Sequence, residues 1–353
     1  MSFYLGSKNK KTIMSKKKIT FLGPESRSFF GVQTIGGATI LFDNIKQNID
    51  SNYHLINING RSKWFFKKII FNVYIFLKYL QSSTRQNVFF VAHRQAIIFM
   101  FIDIVLNRKS IFRLFGGNFE YWFSNTIYKW ILKKSSRRSI IICELPKDVV
   151  FFKKMNFKCF LQENFREIKK NNDEKFYYKI KNKPLTIGYL GRICNDKGVQ
   201  EFIHLSKQNP SYKFILGGPF ESKRAELKLI QLINKQENLN YTGIIKNVKL
   251  KGFFDKIDLL FFHSNHMGEG KPGIFVESLL HKTPILTNYH ITCNNWKPFY
   301  DSGNIIKCKG DYKSYNESLK SFKSNQIIFN NKNLTPFSLK ICIRQIYKYL
   351  EWI

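Results

Sequence analysis

Between Leu185 and Asn288 short apolar runs alternate with amphipathic stretches: LTIGYLG, KGVQEFIHLSKQ, YKFILGGP, AELKLIQLINKQ, IDLLFFHS, GIFVESLLHK and TPILTN. Runs of this length and apolarity read as strands, and the segments between them carry a helical period. Strands that alternate with helices in this way imply a parallel α/β sheet. The first half repeats the rhythm less cleanly. KKITFLG opens a β-loop-α unit, and YHLINING, NVFFVAH, SIFRLFGG and SIIICEL are further strand-like runs.

Between the halves, REIKKNNDEKFYYKIKNK (166–183) has high charge and no apolar period, and reads as a linker. The expected organisation is a first domain over 1–165, the linker, a second domain over 184–336 and a terminal helix over 337–353. That helix is expected to be capped by Thr335, with Pro336 in its first turn, and to return to the first domain. With 353 residues the chain exceeds one ordinary core. The fold class is therefore α/β, with two Rossmann-like domains facing across a cleft. Ligands in such sheets sit beyond the carboxyl ends of the strands.

The net charge is +34 and the pI is near 9.9. Such a field attracts anionic partners: nucleic acid, an acidic membrane surface or phosphorylated substrates. The lysines are spread along the whole chain, as an AT-rich codon bias would also produce. No basic-aromatic nucleic-acid module is present, and no G-x-G-x-x-G opens a βαβ unit as a dinucleotide-dependent oxidoreductase would need. These two classes, nucleic-acid binding and oxidoreductase, remain the alternatives. No apolar run reaches the length of a membrane span. The stretch IIFNVYIFLKYL from Ile69, flanked by Lys67, Lys68 and Lys78, reads first as a core helix and second as a helix lying on a membrane surface.

Six cysteines lie far apart without a CxxC pair, so they read as reduced thiols in a cytoplasmic protein. The N-terminal stretch is polar and basic, unlike a signal peptide, and Met14 reads as an alternative start that would leave residues 1–15 as a disordered tail.

Two stretches carry chemistry. In GYLGRICNDKGV a strand ends at Gly191, and Arg192 and Lys197 precede a helix starting near Gly198. A guanidinium fork and a lysine at the positive end of a helix suit a phosphate. In GEGKPGIFVES, glycines precede a helix whose first N–H groups, at Gly273 and Ile274, can approach an anion. Glu277 is expected in the first turn of that helix, where it can accept hydrogen bonds from sugar hydroxyls, and Glu269 in the loop before it. His263, His266 and Glu269 have spacing that suggests a metal site, but they fall in a strand-end loop without a matching ligand cluster, so no metal is expected.

The order of these features resembles that of the retaining GT-B glycosyltransferases called glycosyl transferases group 1. Glu269 and Glu277 form the pair separated by seven residues, and Gly217 and Gly218 match the glycines after the next strand. The resemblance implies a nucleotide-diphosphate sugar as donor, no cofactor and no metal. It implies that Arg192 and Lys197 bind the diphosphate, that Glu269 contacts the transferred sugar and that Glu277 contacts the ribose. Gly36 and Gly37 resemble the glycine loop reaching over the donor phosphates, and His93 a strand-end histidine lining the sugar site. Arg113, Gly116 and Gly117 are acceptor-side candidates, and Asn164 resembles the interdomain turn. Two departures stand out: Lys271, where an aromatic or apolar residue often follows E-G, and Lys282, where glycine usually precedes the next strand. The implied acceptor is a lipid-linked glycan in bacterial surface polysaccharide synthesis, O-antigen or capsule. The implied location is cytoplasmic, against an anionic membrane surface.

Overall fold

A computed structural model describes the chain except residues 1–18, 33–35, 49–52, 63, 83–85, 169–174, 182, 247–248, 323–326 and 353, and the statements below concern the described residues. The expected tail over 1–15 and the alternative start at Met14 lie outside them. Strands β1 (Ile19–Gly23), β2 (His54–Asn57), β3 (Gln86–Val91), β4 (Lys109–Leu114), β5 (Ser139–Cys143) and β6 (Lys158–Leu161) form one parallel sheet in the order β2-β1-β3-β4-β5-β6. The helices between them are α1 (Gly37–Asn48), α2 (Phe65–Gln81), α3 (His93–Val105), α4 (Phe119–Trp122), α5 (Thr126–Ser135) and α6 (Pro146–Lys154).

β1, β3 and β5 are buried along their whole length. Helices cover both faces of the sheet, which is why these strands tolerate apolar residues at every position. α2, α3, α5 and α6 pack on one face, and α1 on the other.

The second sheet joins β8 (Thr186–Leu190), β9 (Lys213–Gly217), β10 (Leu239–Tyr241), β11 (Leu259–Phe262), β12 (Ile285–Thr287) and β13 (Ile305–Lys307), in the order β10-β9-β8-β11-β12-β13. All its pairings are parallel. Around it lie α7 (Val199–Gln208), α8 (Lys223–Ile233), α9 (Leu250–Phe254), α10 (Gly273–Leu280), α11 (Lys297–Asp301) and α12 (Tyr312–Phe322). The last helix, α13 (Leu339–Leu350), crosses back: Leu339, Cys342 and Ile346 share a core with Phe21, Leu41 and Val88 of the first domain.

The structure corrects the sequence reading at two places and accounts for a third, Lys282, where glycine is usual. The polar segment 166–183 contains β7 (Lys175–Tyr177), which pairs antiparallel with β14 (Ile328–Asn330). Its register with a distant partner, rather than its own period, makes it a strand. Thr335 and Pro336 lie in a 3-10 turn, and α13 begins only after Ser338, whose extended backbone interrupts the helical run. Lys282 adopts φ +53, the left-handed region that favours glycine. Its ammonium lies 4.2 Å from the centroid of the Phe176 ring, so the strained lysine is tied to β7.

Candidate functional site

The carboxyl ends of the two sheets face each other across a cavity of about 820 Å³ lined by both domains. On the second-domain wall the turn after β8 is fixed by backbone contact. Gly191 N–H donates to the Gly217 carbonyl at 3.1 Å. Gly218 has φ +130, and a Cβ there would lie 1.8 Å from the Gly191 carbonyl oxygen, so only glycine fits. Arg192 follows, half exposed at the cavity rim and 3.8 Å from Asp196. A single 3-10 turn, Asn195–Lys197, then leads into α7.

That turn aims Lys197 at the loop before α10. Its ammonium forms an ion pair with Glu269 and lies 3.4 Å from Ser264 Oγ, which itself donates to Glu269 Oε2 at 2.7 Å. Both members of the pair border the cavity and keep a little exposure. Residues separated by 72 positions thus place opposite charges at one point of the cleft wall.

The loop from Gly268 to Lys271 is held on both sides. Gly117 N–H donates to the Gly268 carbonyl at 3.2 Å, and Tyr289 Oη donates to the Glu269 and Gly270 carbonyls at 3.1 and 2.7 Å. A Cβ on Gly270 would lie 2.0 Å from Glu144 Oε2, so the loop passes this carboxylate without room for a side chain. Lys271 N–H donates to Glu144 at 2.9 Å, and the Lys271 carbonyl accepts from Asn164. Its side chain turns into the seam between the domains. There Nζ lies 2.7 Å from Glu163 Oε1, a charge contact without aligned hydrogen-bond geometry. Glu163 also accepts from Trp296 Nε1 at 2.9 Å.

α10 begins at Gly273, with Pro272 as its cap. Gly273 and Ile274 border the cavity at the amino end of this helix. Glu277 is the fifth helical residue, not a first-turn acid as expected, because the helix starts directly after the proline. Its carboxylate pairs with Arg166, whose guanidinium packs so close to Gly273 that a Cβ would lie 2.5 Å from it.

On the first-domain wall Gly36 and Gly37 open α1 and border the same cavity. The Gly36 carbonyl accepts from Thr39 Oγ1 at 2.9 Å, and open space surrounds both glycines where a Cβ would be. His93 starts α3 and stacks on Trp122 at 4.6 Å between ring centroids, outside the residues that line the cavity. Burial, helped by Arg94, pushes its ring below the usual imidazole range. Arg113 is fully buried and bonds Gln162, Glu144 and Asn164, so it braces the wall from behind and does not face an acceptor.

His263 Nδ1 lies 2.6 Å from Tyr315 Oη, and His266 Nδ1 lies 3.1 Å from Asp196, so the two rings serve different partners. Among the described residues no cluster of three or more His, Cys, Asp or Glu has metal-site geometry. Sequence reasoning missed Arg166, Glu144, Glu163 and Tyr289. Arg166 looked like the first charge of a linker. Only its place after the buried Phe165 distinguishes it.

Residues 170–334 match the family described as Glycosyl transferases group 1. The match takes in nearly the whole second domain. The chain is 24% identical over 169 residues to the capsular polysaccharide biosynthesis glycosyltransferase CapM of Staphylococcus aureus, a match covering 45% of this chain and 42% of that one. The chain thus spans less than half the length of this curated relative. The whole fold resembles that of HepE from Anabaena in complex with UDP, with a TM-score of 0.68 at 13% identity over 95% of this chain and 100% of that one. It also resembles the lipopolysaccharide outer core galactosyltransferase WaaB, with a TM-score of 0.52 at 12% identity over 87% and 90% of the two chains. The two domains together form the GT-B fold. Arg192, Lys197, Glu269 and Glu277 all lie within the matched stretch, on the cleft face of the second domain.

Proposed function

We propose that the protein is a retaining, metal-independent glycosyltransferase that moves a sugar from a nucleotide-diphosphate donor to a lipid-linked glycan in capsule or O-antigen synthesis. The carrying observation is the Lys197–Glu269 pair beside Gly191 and Arg192 at the mouth of the cleft. A diphosphate competes with Glu269 for Lys197, and frees the carboxylate for the hydroxyls of the transferred sugar. Arg192, Lys197 and the amino end of α10 oppose the charge that grows on the leaving diphosphate. Glu277, held by Arg166, is the proposed ribose contact.

The acceptor hydroxyl attacks the anomeric carbon on the face the diphosphate leaves. Its proton passes to a phosphate oxygen as the carbon–oxygen bond breaks, so no strong protein base is required. CapM, named for capsular polysaccharide biosynthesis, supports a place in polysaccharide synthesis, and the HepE structure with UDP-glucose supports a nucleotide-sugar donor. Incubation with a panel of nucleotide-sugars, with and without chelator, tests the reading through nucleotide release and the anomeric configuration of the product. Release of nucleotide from none of them, or an inverted product, sinks it.

A further inference from the structure

The outer surface of the first domain's helical layer is apolar where a water-facing layer is ordinarily polar. α2 buries Phe71, Ile75 and Tyr79 beneath it. Its opposite side carries Phe66, Ile69, Ile70, Val73, Phe76 and Leu77, spaced i, i+3, i+4, i+7, i+10 and i+11, which is one stripe along a helix. All six are exposed, Phe66 by 76% and Ile70 by 65%. α3 lies beside α2, with Tyr79 and Phe99 edge to face at 5.7 Å. It presents Ile98, Phe101 and Val105, again on one stripe, with Val105 exposed by 66%. α5 packs on α3 and adds Ile127 and Trp130. Exposed apolar residues scattered singly are ordinary, but stripes on neighbouring helices that join into one patch mark an interaction surface.

Cations share these helices. Lys67, Lys78, Arg94, Lys129, Lys133 and Lys134 are exposed on the same three helices. The one acid in these helices, Asp103, is buried. Lys67 and Lys78 lie 5.8 Å from the Phe30 and Tyr74 rings, so their stems run along the apolar surface while their charges reach outward. A second copy is a poor occupant, because a two-fold pairing would bring these cations against their own counterparts. Apolar residues among exposed cations, together with the exposed Trp64 and Trp130, fit a lipid surface of negative charge.

We propose that the α2–α3–α5 face docks on an anionic lipid leaflet, with its apolar stripes inserted at the boundary of headgroups and acyl chains. The amino ends of α2 and α3 lie at the carboxyl ends of the strands, where the cleft opens. There a pocket of about 510 Å³, bordered by Phe71, Asn72 and Gln95, shares Gly36, Gly37 and Arg61 with the cleft cavity. A sugar carried on a lipid in that leaflet would reach the cleft through this pocket. This last step rests on the proposed function, whereas docking itself does not.

The test sediments the full chain with vesicles of phosphatidylcholine alone and of an equal mixture with phosphatidylglycerol, at low and high salt. Brominated acyl chains report insertion by quenching tryptophan fluorescence. The expected result is pelleting with the anionic vesicles, quenching, and incomplete release by salt. The triple variant Ile70→Asp, Val73→Asp, Leu77→Asp should keep its circular dichroism and melting temperature but bind at least roughly tenfold less. Wild-type protein left in the supernatant with anionic vesicles at low salt overturns the proposal. So does a triple variant that binds as well as wild type, or binding wholly released by salt without quenching. A wild-type dimer that the triple substitution dissociates assigns the face to a second copy and overturns it too. Nucleotide release from the panel of nucleotide-sugars separates the two ideas: wild-type protein that turns over a donor but stays in the supernatant with anionic vesicles sinks docking alone, and wild-type protein that pellets but turns over no donor sinks the proposed function alone.

Discussion

Glu269 and Lys271 are two residues apart on one loop, and each is in an ion pair, yet the pairs sit in opposite settings. Glu269 meets Lys197 on the cleft wall, where both side chains keep some exposure. Lys271 meets Glu163 in the seam between the domains, where its side chain has none. The loop through Gly270 is not an extended strand, and it sends the two side chains in different directions. The same chemistry is thereby sorted into a pair that a ligand can open and a pair that holds the loop against the first domain. A charge pair in the cleft can be exchanged for a substrate contact. A buried one cannot be broken without leaving an uncompensated charge.

The largest effect expected from this contrast is on folding. Lys271→Met should cost about 3–5 kcal/mol in urea unfolding, because it strands the Glu163 carboxylate in the seam. Adding Glu163→Gln should recover most of that loss. If Lys271→Met is as stable as wild type but no longer binds nucleotide-sugar, the two pairs have been assigned the wrong way round.

Glu269→Ala should leave the melting temperature nearly unchanged and slow sugar transfer by roughly 10²–10³-fold at saturating donor, as removal of a group that acts on the transition state does. Near-normal turnover would remove Glu269 from the reaction. Lys197→Ala should weaken nucleoside diphosphate binding by about 1.5–3 kcal/mol, the usual worth of a charge-assisted contact. Isothermal titration reads this directly, and unchanged affinity would place the phosphates elsewhere.

The smallest effect sharpens the link between the Lys197 turn and its support. His263 sits behind that turn, so close that a Cβ on Gly198 would lie 2.4 Å from its own Cβ. Burial holds the ring below the ordinary imidazole range, against the opposing pull of Glu201. The folded ring therefore stays neutral below about pH 6.5, where the unfolded one takes a proton. Its contribution to stability is complete above that pH and is lost as the pH falls towards the depressed folded value. Melting temperatures followed from pH 7 to 5 should fall more steeply for wild type than for His263→Asn. Parallel curves would show that the ring carries no such load.

The cleft wall of the second domain was legible because its residues are consecutive. Gly191, Arg192 and Lys197 occupy one strand-to-helix turn, and Glu269, Gly273 and Glu277 one loop and helix start. Local geometry places each group, so order and spacing carry the information. Arg166, Glu144 and Glu163 were not legible. Each belongs to a connection of the first domain and takes its partner from more than 100 residues away, Arg166 from Glu277, Glu144 from the Lys271 amide and Glu163 from Trp296. Nothing in REIKK marks its first arginine as buried. Arg113 erred in the opposite direction: its place before Gly116 and Gly117 suggested a residue facing the acceptor, but full burial makes it a brace.

By itself the sequence determined the alternation of strands and helices, the division into two parallel sheets and the polar groups of the second domain's cleft wall. These follow from periodicities and turns that act within a few residues. Tertiary structure alone decided which charges face the cleft and which lock the seam, and that the amphipathic stretch after Lys67 and Lys68 forms α2, apolar on its buried and its exposed side alike. Burial is a property of what packs on a residue, and for Lys271, Arg166 and Ile70 the distinguishing surroundings come from the fold, or from its absence above the α2 stripe.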